Sequence, residues 1–167
     1  MREVYEIRAT IEGLSAARTV SRLVPADFVE LERLLDALVE AATKDDPKAI
    51  AEADLAFHAY VNRRSEHRVL VRLFQLLEAQ ILRCAHMTRN LTGAYPPARA
   101  RAEHQALIDA LRTGHPKAAS EAFRNHVSWD IIEGRLGRDA SPHQGTPTVG
   151  ARVADQSSDR PLGGGLT

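Results

Sequence analysis

The chain has 167 residues, and its 22 Lys+Arg balance 22 Asp+Glu, so the formal net charge is zero. That length suits one domain of ordinary size plus a tail, and the charge balance leaves no electrostatic footprint for nucleic acid or an acidic membrane surface. One cysteine, Cys84, excludes an internal disulfide and fits a reducing, cytoplasmic setting.

The opening stretch MREVYEIRATIEG is charged and lacks the apolar centre of a secretory signal. No apolar run approaches the ~18 residues of a membrane-spanning helix. Aromatics make up 5% of the chain, while Leu, Ala, Arg and Glu are plentiful, which favours helices over sheets.

The helical period predicts a first helix over 3–22, with Val4, Ile7, Ile11, Leu14 and Arg18 in step and Pro25 as its stop. A second, over 26–43, opens at Pro25 and Asp27 and turns Phe28, Leu31, Leu34, Leu35 and Leu38 inward. A third, over 47–63, has Pro47 in its first turn and Ile50, Phe57 and Val61 in the core. The fourth, over about 66–90, carries Val69, Leu70, Leu73, Leu76, Leu77, Ile81 and Leu82. So wide an apolar face predicts the central, most buried helix. LTGAYPPAR reads as a loop, a fifth helix runs over about 97–113 to Gly114, and a sixth runs from Pro116 to about Leu136.

From Arg138 onward the chain is rich in Pro, Gly, Ser and Asp without periodicity, which predicts a disordered tail over 138–167 behind a folded domain over 1–137. Six helices with short connections predict an all-α antiparallel bundle.

Asp54, His58, His104 and His126 stand out because each lies on the apolar side of its own helix. Asp54 and His58 are four apart, so about 40° separates them on the helix. Ile50, Phe57 and Val61 share their side. Ala100, Leu107, Ile108 and Leu111 flank His104, and Ala119, Ala122, Phe123 and Trp129 flank His126. A carboxylate and three imidazoles in one core are costly unless paired. A divalent metal pairs them most simply, since imidazole nitrogen and carboxylate oxygen are its common ligands. The competing reading is a set of satisfied core histidines with a local Asp54–His58 hydrogen bond, and the residues alone leave both open. His67 and His143 read as loop or tail residues without a role, and His115 as a surface residue. His86, late in the fourth helix, is ambiguous between surface and cavity.

The stretches VYEIRATIEGLSAA, DLAFHAYVNRRSEHRVL, AEHQALIDALRTGHPKAA and AFRNHV resemble the ligand-sensing C-terminal domain, the FCD domain, of the FadR subfamily of GntR-type transcription regulators. The interval from His104 to His126 (126 − 104 = 22) suits that family, and the resemblance covers about residues 3–135. It implies a helical bundle with a central cavity. In the metal-binding branch an Asp and three His from three helices hold a divalent ion above that cavity, and Asp54, His58, His104 and His126 match those positions. Zinc is the default ion. The resemblance further implies a small organic acid as effector and a homodimer as assembly. Arg8 falls at the family's arginine position in the first helix and is a candidate carboxylate partner. Its alternative is a surface ion pair with Glu12. Arg83 on the fourth helix is a second candidate.

Family members carry an N-terminal winged helix-turn-helix, whereas this chain opens where the effector domain begins. No direct DNA binding is therefore expected of it. The resemblance implies a regulator and not an enzyme. A metal-dependent enzyme is the alternative, because one Asp and three His leave coordination positions open for an activated water. Glu103, beside His104, is expected to face elsewhere, since adjacent helical residues point about 100° apart.

Overall fold

The computed structural model describes residues 1–128, and over 89–92 the backbone alone. It holds six helices: α1 (Arg2–Thr19), α2 (Pro25–Thr43), α3 (Pro47–Arg64), α4 (Arg68–Thr92), α5 (Pro97–Arg112) and α6 (Pro116–His126). No strand occurs among the described residues, so the chain is an all-α bundle.

Local chemistry sets the helix starts. Proline opens α2, α3, α5 and α6, where its missing N–H costs nothing and its fixed φ suits the first turn. Asp27 reaches back to accept the Val24 N–H at 2.8 Å. Asp46 accepts from the N–H groups of Lys48 and Ala49 at 3.0 and 3.1 Å, capping α3. His67, expected to be idle, caps α4, its Nδ1 accepting the Leu70 N–H at 3.2 Å. Gly114, at φ +73°, supplies the left-handed turn between α5 and α6.

The main core joins Leu31, Leu34 and Leu35 of α2, Phe57 and Val61 of α3, Leu107, Ile108 and Leu111 of α5 and Phe123 of α6, with Ala16 of α1. These are the apolar positions expected from the period of those helices.

α1 differs from expectation. Ile7, Leu14 and Arg18 face solvent, and the buried side carries Tyr5, Arg8, Ile11, Glu12, Ser15, Ala16 and Thr19. The polar members have partners waiting on α3. Asn62 Nδ2 donates to Ser15 Oγ at 2.7 Å, and Thr19 Oγ1 donates to the Val61 carbonyl at 3.0 Å. Satisfied groups of this kind can be buried without the penalty of unpaired ones. On the same helix Gly13 lets α6 approach closely: a Cβ there would lie 2.3 Å from Arg124 Cγ.

α4 is not the central helix. It packs on α1 and α3 along one face, through Leu70, Phe74, Leu77, Ile81 and Cys84. Val69, Leu73 and Leu76 stand 61%, 43% and 66% exposed. Its wide apolar stripe spans two faces, and the bundle uses one. A large open groove runs over the other. His86, further along α4, is exposed. The expected extension of the sixth helix to Leu136 and the tail over 138–167 lie outside the described residues.

Candidate metal centre

Asp54, His58, His104 and His126 come together from α3, α5 and α6, each offering a ligand atom within 4.8 Å of the others. His58 and His104 are buried, and Asp54 and His126 are half-buried beside a cavity. The His58 and His126 rings stack, with centroids 5.1 Å apart, and the His104 ring meets His126 edge-on at 4.7 Å. Phe57 and Phe123 pack against the imidazoles and hold them in place.

A hydrogen bond fixes which nitrogen of the His104 ring is free. His104 Nδ1 stands 3.1 Å from the Ala100 carbonyl, an acceptor only, so it carries the hydrogen. His104 Nε2 then presents a lone pair, and it lies 3.1 Å from Asp54 Oδ1, a second acceptor. His58 is held by ion-pair contacts instead. Its Nδ1 lies 2.5 Å from Glu12 Oε2, and its Nε2 turns toward Asp54 Oδ1 at 3.7 Å. Acceptors thus converge on acceptors, an arrangement that needs a proton or a cation between them.

Arg8 completes the charge pattern. It is buried, its Nε donates to Glu12 Oε1 at 2.5 Å, and its Nη2 donates to Asp54 Oδ2 at 3.2 Å. The alternative of a surface pair with Glu12 is therefore corrected: the pair exists, but inside the protein. Burial works against the Asp54 charge, yet His58, the His104 contact and Arg8 outweigh it and hold the carboxyl well below its usual range. Burial, and then any charge on His104 and His58, pushes His126 well below the ordinary imidazole value.

The cavity beside the cluster, about 140 Å³, is lined by Arg8, Asp54 and His126 on one side and by Thr88, Arg99 and Glu103 among others. Arg83 is not there: it is exposed and donates to Gln80 at 2.8 Å, because the outer face of α4 is the one it shares. Glu103 does turn away from the His104 ring, but into the cavity wall, where it accepts from Tyr95 Oη and Arg99. Sequence reasoning passed over Arg99 and undervalued Glu12. An Arg8–Glu12 pair at i,i+4 was visible, but such pairs ordinarily sit on the surface.

The molecule is thus an all-helical bundle with a partly buried Asp/His cluster beside a small cavity. The chain belongs to the FCD domain family, whose model matches residues 3–128, in line with its resemblance to the effector domain of GntR-type regulators. It is 28% identical over 126 residues to a probable D-xylose utilization operon transcriptional repressor of Paenarthrobacter nicotinovorans, covering 75% of this chain and 54% of that protein. It is 26% identical over 133 residues to a putative L-lactate dehydrogenase operon regulatory protein of Escherichia coli K12, covering 76% and 48%. The chain thus spans about half the length of these relatives, which are named as transcriptional regulators. Escherichia coli McbR/YncC shares the fold, with a TM-score of 0.64 and 24% identity over 82% of this chain and 64% of that one. No helix among the described residues is long and apolar enough to cross a membrane.

Proposed function

We propose that the chain is the metal-containing sensing domain of a transcription regulator and that a small organic acid is its effector. Asp54, His58, His104 and His126 would hold one divalent ion. The facing acceptors carry this reading: one cation satisfies His104 Nε2, His58 Nε2 and Asp54 Oδ1 together, which neutral side chains alone do not. The fit is close. The four ligand atoms lie within 4.8 Å of one another, near enough for one ion to gather them by small side-chain shifts. Three imidazoles and a carboxylate suit zinc and equally other first-row ions, with zinc the default.

The cavity size and the buried Arg8 support a small carboxylate as the second ligand. One relative is named for an L-lactate dehydrogenase operon, which fits a hydroxy acid. With a formal net charge of zero the chain has no overall pull on a phosphate backbone. DNA contact is assigned to a separate module of the kind implied by the name of the HTH-type relative McbR.

Elemental analysis of the purified chain tests the site. About one divalent ion per chain is expected, and His104→Ala should lose it. Undiminished metal in that variant would overturn the assignment.

A further inference from the structure

Glu12 belongs to none of the roles above, yet it is 2% exposed on α1 and its carboxylate is used on both sides. Oε1 accepts from Arg8 Nε at 2.5 Å, and Oε2 lies 2.5 Å from His58 Nδ1. A buried ion pair contributes little net stability, and apolar residues of similar volume commonly serve as well. Packing of α1 on α3 therefore does not by itself call for a carboxylate here. Arg8, moreover, already has Asp54 as a second partner.

We propose that Glu12 is a positioning residue for the metal centre: it keeps the hydrogen on His58 Nδ1 and so presents His58 Nε2 to the ion. The inference rests on the metal reading. Its physical basis is that the partner of one imidazole nitrogen decides what the other can do, and a carboxylate partner also makes the ligand nitrogen a better donor. His104 receives the same service from a neutral carbonyl, that of Ala100. The two ligands are thus held by partners of different charge. Glu12 should also matter through Arg8, since one carboxylate fixes both the histidine and the arginine.

The test is cobalt(II) titration of the metal-free chain, read by ligand-field absorption, with zinc affinity taken by competition against a chromophoric chelator. Glu12→Gln should bind roughly tenfold to a hundredfold more weakly, as losses of such partners typically do, and shift the cobalt spectrum. Ser15→Ala, one turn further along the same buried face, serves as the control for a merely structural defect. It should lower the thermal stability of the metal-free chain but keep wild-type affinity and spectrum. Should Glu12→Gln fail to fold because Arg8 is left partly unpaired, the double variant Arg8→Gln/Glu12→Gln leaves no unmatched charge in the pair. It should bind more weakly than Arg8→Gln alone, which sets the reference for the loss of Arg8 from Asp54 and Glu12. Wild-type affinity and spectrum in Glu12→Gln, or a double variant that binds as tightly as Arg8→Gln, would overturn the role of Glu12. A wild-type chain that takes up neither cobalt nor zinc would instead overturn the metal reading on which it rests.

Discussion

Arg8 and Asp54 meet across the packing of α1 on α3, Nη2 to Oδ2 at 3.2 Å, so the arginine proposed to receive an effector already holds a proposed metal ligand. The local charge follows directly. Arg8 contributes one positive charge against the carboxylates of Glu12 and Asp54, and histidines in the neutral form required of metal ligands add none, which leaves one net negative charge. A divalent ion changes that to one net positive charge.

Effector binding should accordingly require the metal. In a thermal-shift screen of small hydroxy- and dicarboxylic acids, a binder at a hundredfold excess over its dissociation constant should stabilise the loaded chain by about 2.7 kcal/mol. The response should vanish after chelation and shrink in Arg8→Ala. Equal stabilisation of the chelated chain by the same acid would show the charge argument to be wrong.

Acid should weaken the metal-free fold from near neutrality. The folded state holds His126 below its unfolded value, chiefly by burial. Between that depressed value and the unfolded pKa of about 6.5, only the unfolded chain binds the proton, so stability falls as pH falls. Asp54 and Glu12 are also depressed, by His58 and Arg8 respectively against the opposing effect of burial. Their contribution is present above the ordinary carboxylate range and is lost as pH falls through their folded values. Urea unfolding of the metal-free chain should show stability declining below about pH 6.5 and again below about pH 4, and His126→Asn should flatten the first limb. Stability that rises between pH 7 and 5.5 would contradict this assignment.

Gly13→Val should destabilise the bundle by about 1–3 kcal/mol. Its Cβ would meet the Arg124 stem, with the Ser120 carbonyl 3.1 Å away, so α6 must move off α1. Chemical denaturation measures this, and a neutral outcome would mean that Arg124 leaves its place freely.

The family resemblance implies a homodimer, and light scattering is expected to find one, with or without residues 138–167. Val69, Leu73 and Leu76 are exposed, so Leu73→Glu and Leu76→Glu should change folding stability by no more than about 0.5 kcal/mol. Dissociation in those variants would locate the contact on α4, and persistence would locate it elsewhere. A monomer in the full and shortened chains would remove the dimer.

The helices and the four candidate ligands were legible because both depend on period alone. Asp54 and His58 are one turn apart, and His104 and His126 each sit among apolar neighbours in step with the helix. α1 was misread because periodicity looks for an apolar inward face. The inward face of α1 holds Arg8, Glu12, Ser15 and Thr19, whose partners lie on α3 and are invisible from α1 itself. α4 was misread for the opposite reason. An abundance of apolar residues records how many faces could be covered, not how many are, and Arg83 was carried outward with that error.

The spacing of the four ligands has one more consequence. The segment from Asp54 to His126 spans 126 − 54 = 72 positions, more than half of the described chain. An ion held at both ends of that segment would act as a removable cross-link, restricting the unfolded chain as a disulfide closing a long loop does. A chain with one cysteine cannot make such a link covalently. Supply of the ion would then set how tightly α3, α5 and α6 are tied together before any effector arrives.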